Sequence, residues 1–341
     1  PADTTSSCSV DAVNVPRRGS RRHRAILLAR STLNRFNANQ ATDIAAGLTY
    51  YSVLAVFPAL LCVVSLLKLS RLGRTLVPEL SQLLQQSITD PGTARVVTNM
   101  VTTFFDSTGA GLGLVVGLLV AMWSASGYVA AFSRAANRVY DVEEGRGTVR
   151  LKATQFGLTA VVLVGFAILV GLVTLSGEVL HWLGARLGAG NTALTVWSIV
   201  KWPVVMVIVM GMVAMLYHFC PNAELGKFRF ITPGSVLAVL VALAAASGFG
   251  FYASGFGSYD ATYGTLGGII IALWLIWLVN IAMLLGVYLD AQRLRLRQIA
   301  RGEVKARRGA VVAPRAMKGI VAGMRKDNKL AADLGALAPK E

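Results

Sequence analysis

Acid and imidazole are scarce in this sequence: 17 Asp and Glu residues and 3 histidines serve 341 positions. Hydrolytic and metal chemistry needs such groups gathered in one aqueous pocket, and here they are scattered. His23, His181 and His218 are far apart, and there is no HExxH, no phosphate-binding glycine loop, no selectivity-filter sequence and no row of acids within the apolar runs. Cysteine is equally sparse. Cys8, Cys62 and Cys220 show no CxxC or Cys/His spacing, so neither a zinc site nor a disulfide framework is expected. No catalytic residue, metal ligand, cofactor-binding residue or cofactor is assigned, and the expected class is non-enzymatic.

What the chain has in abundance is apolar surface. It is 55% hydrophobic and 15% charged, with a mean hydropathy of +0.59, more apolar than soluble domains of this size. The net charge of +16 and pI near 10.3 sit in the tails and in alternate loops. That distribution reads as membrane topology rather than nucleic-acid binding, and no nucleic acid is expected as a partner.

Crossing a bilayer takes roughly 20 apolar residues in a helix, and six segments qualify, at about 44–67, 111–132, 156–179, 199–219, 234–253 and 264–289. The expected fold is all-α: a polytopic bundle of six transmembrane helices with both termini cytoplasmic. Arginines crowd ahead of the first span, Arg134, Arg138, Arg146, Arg150 and Lys152 fill the second loop, Lys227 and Arg229 the fourth, and Arg293, Arg295 and Arg297 open the tail. Under the positive-inside rule those segments are cytoplasmic and the first, third and fifth loops face out.

Three regions follow. Residues 1–42 form a basic cytoplasmic segment with an interfacial amphipathic helix, 43–290 the transmembrane domain, and 291–341 a basic, partly disordered tail. Anionic lipid headgroups are the expected partners of both basic ends, and a homo-oligomer is left open. Residues 76–88 of the first outer loop have the spacing of an interfacial helix.

Small residues mark where helices approach in lipid. One ladder runs through Gly109, Gly113, Gly117 and Ala121 and another through Ala238, Ala242, Ala246 and Gly250, with Gly264 and Gly268 at the sixth span. Pro58 and Pro203 remove backbone donors and are expected to kink the first and fourth spans. Polar residues inside apolar runs cost on the order of 3 kcal/mol when ionised, which singles out a few. Asp43 and Tyr50 share one face of the first span, with Thr49 and Ser52 beside them. Trp123 and Ser124 lead to Arg134, Asn137, Arg138, Tyr140 and Asp141, where Arg134, Asn137 and Asp141 share a helical face and Arg138 can reach Asp141. Such a cluster could lock helices together or hold a headgroup. Asn280, deep in the sixth span, is expected to bond across to another helix.

Four ordered stretches carry a resemblance: AAGLTYYSVLAVFPALL (45–61), WSASGYVAAFSRAANRVYDV (123–142), YHFCPNAELGKFRFITPG (217–234) and YGTLGGIIIALWLIWLVNIAMLLG (263–286). Together they resemble the YihY/BrkB family of bacterial inner-membrane proteins, from about residue 24 to 292, with both tails outside. The resemblance implies six helical spans in a bacterial cytoplasmic membrane and a link to envelope integrity and serum resistance; some members carry a ribonuclease BN label. Tyr51, Pro58, Trp123, Ser124, Asn137, Tyr140, Pro221, Pro233, Gly234, Tyr252, Tyr263, Gly264, Trp274 and Gly286 fall on the family pattern. Where the family commonly reads GAELNA this chain has GVYLDA, so Tyr288 replaces the usual Glu and Asp290 the Asn.

The functional expectation is a transporter or flippase of an amphipathic or lipidic envelope component, using a cavity lined by the first, second and sixth spans. Asp43, Tyr50, Tyr51, Ser52, Trp123, Ser124, Arg134, Asn137, Arg138, Tyr140, Asp141, Tyr252, Tyr263, Asn280 and Asp290 are its candidate residues. The alternative is a structural or assembly factor that binds lipids or proteins, and a remote third is a ribonuclease.

Overall fold

Long apolar runs without internal breakers become long helices, because a helix alone satisfies every backbone group within one segment. The computed structural model describes residues 21–69, 82, 92, 95–96, 98–99, 111–174, 191–255, 260–307 and 309–335. Within them the helices are α1 (Arg21–Ala38), α2 (Ala41–Leu69), α3 (Gly111–Val139), α4 (Thr148–Thr174), α5 (Asn191–Phe219), α6 (Pro233–Gly255), α7 (Asp260–Ala300) and α8 (Lys318–Gly335), with a short 3₁₀ turn at Val304–Arg307. No strand occurs among the described residues beyond an isolated antiparallel bridge between Ala223 and Pro314.

Three described segments are long and apolar enough to cross a membrane: Thr148–Val173, Ile199–Phe219 and Ile270–Ala300. Pro233–Gly248 is a shorter apolar helix. Helix α4 starts at Thr148, ahead of the expected 156, and α7 continues past 289 to Ala300. Helix α5 runs through Pro203 without interruption. Pro58 is described only as backbone of α2, and residues 76–88 are not described as an element.

The buried core gathers at one end of the bundle. It draws on Ala41, Ala45 and Leu48 near the start of α2, Val129 to Val139 near the end of α3, Leu158 of α4, Val213 to Tyr217 of α5, Ala238 of α6, and Leu284, Val287 and Tyr288 of α7. The starts of α2, α4 and α6 therefore meet the ends of α3, α5 and α7, so successive helices alternate in direction. The segment before α2 and the segment after α7 consequently emerge at the same end. There α1 packs on α7, with Phe36 edge-on to Tyr288 at 5.5 Å between ring centroids. Away from this end, side chains such as Leu54, Leu119, Val164, Trp202, Leu243 and Trp274 are exposed, the pattern of helices whose outward faces meet lipid.

Of the two small-residue ladders, the one on α6 differs from expectation. Helices α6 and α7 touch through Gly234 and Gly286, each so close that an added Cβ would strike the other's carbonyl. Ala238 is buried beside them, but Ala246 and Gly250 further along are exposed, and nothing lies within 4 Å of where a Cβ on Gly250 would sit. The stripe is thus a packing surface at its start only. Gly109 lies outside the described residues, and the side-chain surroundings of Gly113, Gly117, Tyr252, Tyr263, Gly264 and Gly268 lie outside the description too.

Candidate functional site

The expected cavity residues divide into three groups rather than lining one space. Asp43 and Tyr50 are exposed on the outside of α2, Tyr50 at 62%. Asp43 stands in the first turn of α2, where the helix dipole favours a carboxylate. Trp123 is exposed, with Lys152 Nζ 5.5 Å from its ring centroid, and Ser124 is half-buried. Tyr51 is half-buried under Arg134, whose guanidinium lies 5.7 Å from the ring centroid.

The second group is a polar bridge in the apolar bundle. Asn280 of α7 donates from Nδ2 to Thr49 Oγ1 and Ser52 Oγ of α2, each at 3.3 Å, and accepts at Oδ1 from the Tyr128 hydroxyl of α3 at 3.0 Å. Thr49 and Ser52 pass their own protons to the carbonyls of Ala45 and Leu48. Asn280 is 2% exposed, so its amide joins three helices and has no surface left for a substrate in this state. Tyr217 completes the layer by donating to the Met283 carbonyl at 2.5 Å.

The third group lies where α3, α5 and the tail converge. Sequence spacing puts Arg134, Asn137 and Asp141 on one helical face, but α3 ends at Val139 and Asp141 takes a left-handed conformation, φ 53°. The face is broken there. Asp141 turns to Arg35 of α1 at 3.8 Å instead of to Arg138; both are partly exposed, so the pair is worth less than about 1 kcal/mol. Asn137 turns inward: it donates to Glu144 Oε2 at 3.0 Å and accepts from the backbone amide of Asn222 at 2.6 Å. Tyr140 is buried in the apolar core.

The centre of this third group is Arg146, which sequence reasoning counted only as a cytoplasmic charge. It is 7% exposed. Its guanidinium grips Glu144 through Nε to Oε1 at 2.8 Å and Nη2 to Oε2 at 2.7 Å. It also donates to the carbonyls of Phe219 (3.2 Å) and Cys220 (2.7 Å) and to Ser133 Oγ (3.1 Å). The last carbonyls of a helix lack intrahelical donors and carry partial negative charge, so an arginine there completes the α5 terminus. Burial works to raise the Glu144 pKa, but the side-chain and backbone hydrogen bonds from Arg146, its charge and the Asn137 amide outweigh it and hold the carboxyl below its ordinary range. Asn222, fully buried, passes the connection on: it donates to the carbonyls of Glu143 and Ala316 and accepts from the Ala316 amide, all at 3.0 Å.

Asp290 performs a different task at the same end. Helix α6 opens with Thr232 as its cap, Pro233 in the first position and Ser235 two further on, with Ser235 N donating to Thr232 Oγ1 and Thr232 N to Ser235 Oγ, both at 3.0 Å. This reciprocal cap leaves the Gly234 amide free, and Asp290 Oδ1 takes it at 2.8 Å. Asp290 is therefore a cross-helix cap that fastens α6 to α7. Tyr288, at the position of the family's usual acid, is buried against α1. Among the described residues no group of three or more His, Cys, Asp or Glu could hold a metal ion.

Comparison with known proteins places this arrangement. The family model for virulence factor BrkB matches residues 32–309. The chain belongs to the BrkB family. The matched stretch extends past 292, where the resemblance was expected to stop, and takes in the start of the tail. Within that family, the chain is similar to the ribonuclease-like protein YfkH of Bacillus subtilis (strain 168), 29% identical over 261 residues that make up 76% of this chain and 92% of that protein. It is also similar to the UPF0761 membrane protein of Alkalilimnicola ehrlichii, 27% identical over 257 residues, 72% of this chain and 52% of that longer relative. No solved structure matches. As a BrkB protein with apolar helices of spanning length, the chain is a membrane protein.

Proposed function

We propose that the chain is a non-enzymatic, six-span protein of the bacterial cytoplasmic membrane, both basic ends inside, that moves an amphipathic or lipidic envelope component across the bilayer. The observation that carries this reading is an asymmetry of closure. At the basic end the helices are sealed by the core, the Asn280 bridge and the Arg146 group. Further along, the small-residue face of α6 at Ala246 and Gly250 is uncovered. Small residues in lipid ordinarily serve close helix approach; left open beside exposed Leu240, Leu243 and Trp274, they form a smooth apolar surface along which an acyl chain can lie. A bundle closed at one end, with an uncovered apolar face along its side, offers a lipid a surface to follow rather than an enclosed channel.

Reconstituted in liposomes, the protein should accelerate transbilayer movement of a fluorescent phospholipid, read by chemical bleaching of the outer leaflet. Bleaching kinetics equal to protein-free liposomes across phospholipid, glycolipid and polyprenyl-phosphate probes would sink the proposal.

One observation favours a second reading, that of a structural or assembly factor: the tail is not merely tethered but hydrogen-bonded into the bundle through Asn222 and Gly145. That reading predicts partners that copurify and no flux. The ribonuclease wording belongs to a relative's name.

A further inference from the structure

Helix α8 (Lys318–Gly335) is held at its start and exposed all round over residues 321–328. The Gly319 amide donates to the Gly145 carbonyl at 2.8 Å, and Gly145 stands just ahead of Thr148, where a membrane-spanning segment begins. An added Cβ at Gly145 would strike the Ala316 carbonyl, so the chain passes close there. The first turn of α8 is thereby fixed beside the start of α4, whose Arg150 and Lys152 come just before its apolar run.

From that anchor the helix is amphipathic. Met317, Ile320, Val321 and Met324 recur at spacings of three and four and form one face, and Met317, Val321 and Met324 are 51%, 41% and 56% exposed. Lys318, Arg325 and Lys329 follow one another at spacings of seven and four along the border of that face. Apolar side chains bordered on one side by lysine and arginine, with Asp327 on the other, on a helix fixed near the membrane surface, suit an anionic bilayer: the apolar face enters the acyl boundary while the cations meet headgroup phosphates.

We propose that α8 is an interfacial helix that lies on anionic lipid through Met317, Val321 and Met324, pinned beside α4 by the Gly319–Gly145 bond. The proposal rests on the membrane placement of α4 and narrows the headgroup contact expected of the basic tail to one helix face. It is independent of whether the chain moves a substrate, so a failure here and a failure of transport are separate results.

The test uses the full chain with Cys8 and Cys62 replaced by Ser and Met324→Cys carrying an environment-sensitive fluorophore; Cys220 is buried. In nanodiscs containing phosphatidylglycerol the emission should shift to the blue and lose most of its quenching by aqueous iodide, and in pure phosphatidylcholine both effects should be weaker. Arg325→Glu with Lys329→Glu should return the phosphatidylglycerol signal to the phosphatidylcholine level. Arg325 is on the surface, and the fold is expected to survive the double substitution; an unchanged melting temperature checks that. An unshifted emission in both lipids overturns the proposal. So does a shift of equal size in both, and so does one that appears in detergent and rises with protein concentration, which would assign the face to a second copy of the chain.

Discussion

Arg146 uses all three guanidinium nitrogens inside the protein, on one carboxylate, two helix-terminal carbonyls and a serine hydroxyl. Glu144 is partly exposed and keeps the Asn137 amide, so what the loss of Arg146 leaves unsatisfied is chiefly the buried Cys220 carbonyl and Ser133 hydroxyl. Arg146→Ala should therefore destabilise the protein by about 1–3 kcal/mol, and Arg146→Lys should recover only part, since a single ammonium cannot serve the bidentate carboxylate and both carbonyls. Thermal unfolding in detergent measures both. The same pair gives a pH dependence. Glu144 has a lower pKa folded than unfolded, so its contribution is complete above the unfolded value and is lost as pH falls through the folded one. Wild type should lose melting temperature below the ordinary carboxylate range. Glu144→Gln should be less stable at neutral pH and show a flatter acid limb; an acid limb as steep as wild type would remove Glu144 as its cause.

At the scale of elements, two contacts decide how the helices are fastened. Gly286 and Gly234 bring α7 and α6 together with no room for a methyl group. Gly286→Ala should cost about 1–3 kcal/mol through overpacking, whereas Gly250→Ala, with open space around it, should change stability by less than about 1 kcal/mol. Equal losses at the two positions would mean that the far face of α6 is covered. The second contact is the tail. Asn222→Ala removes the amide that joins Glu143 to Ala316 and should cost about 1–3 kcal/mol; hydrogen exchange at the Ala316 and Gly319 amides should rise in parallel. The helices themselves were legible because the length of an apolar run is a local property, and so was Asn280 as a cross-helix donor, since a lone amide in an apolar run must find a partner. The Arg146 group was not. Its bonds to Phe219 and Cys220 join residues 73 and 74 positions apart, and that from Asn222 to Ala316 spans 94, distances across which no periodicity survives. The left-handed Asp141 also misled: continuing α3 past Val139 placed its carboxylate on a face that does not exist.

For the whole molecule, orientation is decided by the closed end. The alternation of helix directions puts α1 and α8 at the same end as the loop between α3 and α4, so any orientation must place all three together. In the proposed topology charge makes the choice: those segments carry the arginines and lysines, and the positive-inside rule predicts the cytoplasm for them. Single cysteines should read this directly in intact cells. Gly145 is a poor site for one, because a side chain there would meet Ala316, but Gly147 is exposed with nothing within 4 Å. In a background without Cys8 and Cys62, Asn191→Cys at the start of α5 should react with an impermeant maleimide from outside, and Gly147→Cys only after the membrane is permeabilised. The reverse pattern would invert the protein and put the Arg146 group and α8 outside. Labelling of both from one side would break the alternation itself, because α4 and its return to α5 could not then separate the two positions across the bilayer.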